Sequence, residues 1–140
     1  MKFLLDTCVI SELVSTKPDF KVIQWVDSVD EERLFLSVIT IGEIKKGVEK
    51  LPDSTRRSAL KEWLEDELLV RFNGRLLPID TRVMLAWGEL VAGLEKQGSP
   101  MPAMDSLIAA TALENRLNLV TRNQDDFAHS SVNLINPWAE

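Results

Sequence analysis

The chain has 140 residues, 45% of them hydrophobic and 27% charged, which fits one soluble globular domain over residues 1–140 and leaves little room for two. Its single cysteine, Cys8, excludes an intramolecular disulfide, and its N-terminal apolar run is interrupted at Asp6, too early for a signal peptide and far short of the about 20 residues that span a bilayer. A net charge of −6 runs against the basic footprint usual in nucleic-acid binders, so such a function needs bound cations that reverse the local sign, or a locally basic surface.

Residues 2–5 (KFLL) form a short apolar run ending at an acid, which fits a buried strand. Residues 7–14 and 19–30 read as helices separated by Lys17-Pro18, and residues 34–37 (LFLS) as a second strand. Thr40 is expected to open a helix with Ile41, Ile44, Val48 and Leu51 along one face, ended by Pro52-Asp53-Ser54. Residues 55–71 carry Leu60, Trp63, Leu64 and Leu68 at helical spacing, a stripe better suited to the core than to a partner surface. Residues 75–79 (RLLPI) suggest a third strand, which Pro78 confines to an edge or a strand end. A helix over 81–97, the breaker Gly98-Ser99-Pro100 and an alanine-rich helix over 103–116 follow. Residues 118–121 (NLVT) and 132–135 (VNLI) are short strands, and Trp138 is expected to pin the C-terminus. Short strands alternating with longer helices predict an α/β fold, a parallel sheet with helices on both faces. Chemistry in such sheets lies at the carboxyl ends of the strands.

Several acids fall at that edge. Asp6 directly follows the first strand; it suits either a helix N-cap or a metal ligand. Glu43 lies one turn from Gly47, which leaves room above that surface, but Thr40-Ile41-Gly42-Glu43 also spells a capping box. Asp105 shares a helix face with Ile108, Ala109 and Ala112, so a carboxylate lies on a side that should be buried, and no Lys or Arg stands within a turn of it. Such an acid needs a partner, and a metal is a reasonable one. Beyond the strand NLV, Asn123 and Asp126 each offer an oxygen, and spacing does not choose between them. Carboxylates packed together repel unless a cation or a proton neutralises them, and Mg²⁺ and Mn²⁺ prefer oxygen ligands. The basic residues Lys45, Lys46, Lys50, Arg56, Arg57 and Lys61 gather in one stretch, readable as a solvated helix face or as a phosphate-contacting patch.

Five segments, LLDTCVISEL (4–13), LSVITIGEIKKGV (36–48), MDSLIAATAL (104–113), VTRNQDDF (120–127) and NPW (136–138), together resemble the PIN domain, specifically the VapC toxins of toxin–antitoxin pairs and their FitB-like branch. The resemblance spans the chain from end to end. It implies a three-layer α/β/α domain with a short, mostly parallel sheet. It implies a Mg²⁺- or Mn²⁺-dependent endoribonuclease acting on tRNA or other structured RNA in the cytoplasm, a homodimer, and a small DNA-binding antitoxin that plugs the cleft. Asp6, Glu43 and Asp105 match the family's three main acidic positions; the fourth falls on Asn123 or Asp126. The roles that follow are Asp6 and Asp105 on the principal metal, Glu43 completing the site or orienting the attacking water, and Asp126 or Asn123 supporting a second ion or a water. Thr7 and Thr121 then support the shell.

Other chemistries fit less well. His129 and Cys8 have no catalytic partner nearby in sequence, and neither G-x-x-x-x-G-K-[ST] nor G-x-G-x-x-G occurs. The non-enzymatic alternative is a PIN-fold protein-binding module acting through its antitoxin. The four tryptophans offer base-stacking platforms, but core packing suits each of them better.

Overall fold

Apolar runs too short for helices and buried on both sides become parallel strands. In the computed structural model, which describes residues 1–139, these are β1 (Phe3–Leu5), β2 (Leu34–Ser37), β3 (Leu76–Leu77), β4 (Asn118–Val120) and β5 (Leu134–Ile135). They form one sheet in the order β3-β2-β1-β4-β5, and every neighbouring pair is parallel. Phe3 lies opposite both Leu34 and Asn118, so β1 is the central strand. The chain lays β2 and β3 outward on one side of β1, then returns to place β4 on its other side. This reversal opens a crevice beyond the carboxyl ends of β1 and β4. Pro78 directly follows β3, the edge strand, where its missing N–H costs no ladder bond.

Alternation along β1 separates two cores. Phe3 and Leu5 face a layer built from α1 (Thr7–Leu13), α2 (Phe20–Ser28) and α3 (Val38–Glu49), with α4 (Thr55–Glu62) beyond them. Leu4 faces the other layer, whose core includes Ile108, Ala109, Ala112, Leu119 and Phe127. This layer contains α6 (Thr81–Lys96), α7 (Ala103–Glu114) and α8 (Gln124–Phe127). Between the two groups in sequence, α4 runs through a π-helical turn (Trp63–Leu68) into α5 (Leu69–Arg71). Leu64 and Leu68 are buried, with Leu60 and Trp63 packed against them, so the 55–71 stripe is core.

Two expectations are corrected. The helix expected at 40–51 starts at Val38, because Ser37, extended at the end of β2, caps it through Oγ, which accepts from the Ile39 N–H at 3.0 Å. The Thr40–Glu43 capping box is therefore pre-empted, and Glu43 is left to face elsewhere. The segment after β4 turns at Asn123 into the short helix α8, which buries Phe127. The last strand begins at Leu134 instead of residue 132, after Ser131 takes a positive φ of 69°. Trp138 does anchor the chain end: its Nε1 donates to Glu12 at 3.2 Å and Arg122 lies over its ring. No helix among the described residues is long and apolar enough to cross a membrane.

Candidate active site

Asp6 ends β1 and caps α1. Its Oδ1 accepts from the Thr7 N–H at 2.8 Å, and its Oδ2 accepts from the Thr121 hydroxyl at 2.8 Å. The cap role and the strand-end position therefore coexist in one side chain. The Asp6 N–H itself donates to the Val120 carbonyl at 2.9 Å, continuing the β1–β4 ladder up to the crevice. Asp6 is buried, and so is Thr121. Burial pushes the Asp6 carboxyl above its ordinary value, the bonds from Thr121 and Thr7 pull it back, and the charge of Glu43 raises it again.

Glu43 reaches the same place from α3, which packs in the same layer as α1. The Thr7 hydroxyl donates to its Oε1 at 2.5 Å and lies 3.1 Å from the Thr40 hydroxyl. Thr40, expected as a helix cap, is instead buried inside the first turn of α3, beside Thr7. Chain position alone gives no sign of that contact, because the two threonines stand 33 residues apart.

Asp105 occupies the first turn of α7, with Ile108, Ala109 and Ala112 of the same helix buried below it. Its carboxyl is pushed up to about 6, first by burial and then by the negative charges of Asp6, Asp126 and Glu43. Charges from the sheet edge and both helical layers thus reach Asp105. Among the described residues, none of these four acids takes part in an ion pair. Asn123 and Asp126 lie exposed, together lining a polar depression with Arg122 and Asn136. The Asn123 N–H donates to the Thr121 hydroxyl at 3.0 Å, so its backbone orients the group that holds Asp6. The charge of Asp126, by contrast, reaches Asp105 directly.

Cys8 was not among the expected site residues. Its sulfur lies 3.8 Å from Asp6 Oδ2 and 3.7 Å from the Thr121 hydroxyl oxygen, and it accepts from the Arg122 N–H. Burial pushes its thiol up, with the Asp6 charge adding to the rise. It therefore stays protonated at neutral pH and is a poor nucleophile.

The profile of the PIN domain family matches residues 3–132. The chain belongs to the PIN-domain family. Over 135 residues it is 37% identical to the toxin FitB of Neisseria gonorrhoeae, an alignment covering 96% of this chain and 97% of that one. It is 36% identical to the VapC ribonuclease Y4jK of Sinorhizobium fredii, with 96% of each chain covered. The crystal structure of FitAcB from Neisseria gonorrhoeae superposes with a TM-score of 0.94 at 36% identity over 99% of both chains. The all-parallel sheet between two helical layers is the PIN fold.

The donor set of this PIN domain suits a hard divalent cation. Its oxygens are carboxylates and hydroxyls, which Mg²⁺ and Mn²⁺ prefer, and the clustered negative charge has no cationic side chain paired with it among the described residues. No three acidic, His or Cys groups among the described residues close on one point as a ready-made cage. Mg²⁺ is usually held through one or two carboxylates with waters filling the other positions, so an open ring of acids is compatible with it.

Proposed function

We propose that this PIN domain is a Mg²⁺- or Mn²⁺-dependent endoribonuclease, the toxin of a toxin–antitoxin pair, that hydrolyses phosphodiester bonds of structured RNA such as tRNA in the cytoplasm. One arrangement carries the reading: Thr7 joins Asp6 and Glu43, its N–H donating to Asp6 Oδ1 and its hydroxyl to Glu43 Oε1, Thr121 holds Asp6 Oδ2, and Asp105 lies close enough for the charges of Asp6, Asp126 and Glu43 to raise it. Helix capping requires no such convergence of acids from three layers. The toxin assignment rests on the similarity to the toxin FitB; an antitoxin and a second copy of the chain are the expected partners.

Asp6 and Asp105 are the residues proposed to hold the principal ion. When bound, Mg²⁺ or Mn²⁺ supplies positive charge against the phosphoryl oxygens and acidifies the attacking water. Thr121 fixes the Asp6 carboxylate through Oδ2, which leaves its orientation set before any ligand arrives. Thr7 does the same for Glu43, whose free oxygen completes the site or orients the water. Asp126 is the better fourth group, since its charge reaches Asp105, while Asn123 serves through its backbone bond to Thr121.

The test is cleavage by purified protein freed of any antitoxin. It should cut tRNA with Mg²⁺ or Mn²⁺ and stop on addition of EDTA. Asp6→Asn and Asp105→Asn should each reduce cutting at least 100-fold while keeping the parent circular-dichroism spectrum. Full activity in either variant overturns the assignment of that residue, and a protein that binds antitoxin but never cuts RNA would be a binding module instead.

A further inference from the structure

A groove of about 560 Å³ leads away from the carboxylate cluster along α3, and Glu43 belongs to both. Its apolar floor is formed by Val38, Ile39 and Met104, and Lys46 and Lys50 line it further along the helix. Val38 and Met104 are 40% and 52% exposed, so this apolar surface is open to a ligand. We propose that the groove seats the RNA strand on one side of the cleavage point. In this arrangement Lys46 and Lys50 hold consecutive backbone phosphates as positioning residues, and the apolar floor supports the nucleoside between them. The proposal rests on the endoribonuclease reading and adds a substrate path to it.

The basic stretch of the sequence is divided by the fold. Lys45, Arg57 and Lys61 all turn to Glu49, at 2.9, 2.7 and 3.4 Å, and Arg56 donates to the Val14 carbonyl; none of these four lines the groove. Lys46 and Lys50 form no ion pair among the described residues; their charge is directed to the groove. At 1.5 Å per residue, Lys46 stands about 4.5 Å and Lys50 about 10.5 Å beyond Glu43 along the helix axis. Their separation is comparable to one nucleotide of extended strand. A phosphate at the carboxylates would therefore be followed by neighbours within reach of each lysine.

The glycines of α3 support the same reading. A Cβ at Gly42 or Gly47 would meet nothing within 4 Å, so neither glycine is required by close packing, and both line the groove. Glycine inside a helix costs roughly 0.5–1 kcal/mol relative to alanine. What the two glycines provide is open space beside Glu43. Two depressions beside Asp126 are less suited to a polyanion: both are lined by Asp125 and Asp126, one with Arg122 and the other with no Lys or Arg. In a chain of net charge −6, a path with two lysines free of ion pairs among the described residues favours a phosphate backbone. The volume lies within the range of roughly 300–1,000 Å³ typical of small-ligand sites.

Binding can be measured apart from cleavage. A fluorescein-labelled mixed-sequence RNA 12-mer would be titrated against the full-length Asp105→Asn protein over a range of KCl concentrations. Parallel titrations would use the same protein carrying Lys46→Gln with Lys50→Gln, or Gly47→Leu, or Lys45→Gln. Each phosphate contact to a single strand contributes about 0.7 to the log–log salt slope. The double lysine variant should bind at least tenfold more weakly and lose about 1.4 from that slope. Gly47→Leu, which improves helix propensity and so should stay folded, should weaken binding by filling the groove; Lys45→Gln should change nothing. Unchanged affinity in the double lysine and Gly47→Leu variants overturns the proposal, and so does a loss confined to antitoxin binding, which would make the groove a protein site. Cleavage of tRNA by the parent protein, scored separately, shows whether the endoribonuclease reading survives when this one fails.

Discussion

Asp105 and Thr121 show how single side chains prepare the site. In the folded, metal-free protein Asp105 gives up its proton near pH 6, against an ordinary value of 3.8. Between those values the folded state holds more protons than the unfolded one, so this group's contribution to stability falls as pH rises through the window. In EDTA at pH 7.5, Asp105→Asn should therefore stabilise the protein by roughly 1 kcal/mol, less than the shift alone implies because water screens a partly exposed carboxyl. The gain should vanish below pH 4, and urea melts at the two pH values check it. Thr121 acts in the other direction. Thr121→Val removes the hydroxyl bond to the buried Asp6, and should cost about 1–3 kcal/mol in the same melts. A neutral result would mean that Asp6 finds another donor.

At the scale of the element, α3 is where sequence reading and structure differ most. Thr40 and Glu43 match a capping box by residue type, yet Ser37 caps the helix three positions earlier because β2 runs into α3 without a loop. Both candidates satisfy the same local rule, and the strand's end point decides between them. Ser37→Ala should cost about 1 kcal/mol of stability, and Gly47→Ala should raise it by roughly 0.5–1 kcal/mol, both measured by urea denaturation. A greater loss in Thr40→Ala than in Ser37→Ala would return the cap to Thr40. The helix at 81–97, with its apolar periodicity, and that at 103–116, alanine-rich after a breaker, were legible to within a few residues of their ends. The short helix α8 shows no period, because its four residues are too few for one.

For the whole molecule, the sheet order matters most. Placing β4 against β1 brings Thr121 to Asp6 across 115 residues, and packing α3 and α7 on opposite faces brings the charge of Glu43 within range of Asp105. A cation held by these acids, as proposed, would bind the folded state alone and stabilise it. Mn²⁺ at about 100 times its dissociation constant should add about 2.7 kcal/mol, seen as a concentration-dependent rise in Tm. Asp6→Asn and Asp105→Asn should each reduce that rise, and an equal rise in both would place the ion elsewhere.

The sequence by itself determined the alternation of strands and helices, and with it a parallel sheet whose chemistry lies at one edge. It also marked Asp6 and Asp105, because strand ends and apolar helix faces follow from local pattern. Which acids act on one another, which lysines remain unpaired and what Thr7, Thr40 and Cys8 touch were decided only by tertiary structure. The contacts of Thr7 with Thr40 and Glu43 and of Cys8 with Thr121 join residues more than 30 positions apart, where local periodicity carries no information, and the lysines are sorted by which of several nearby cations the packing brings to Glu49.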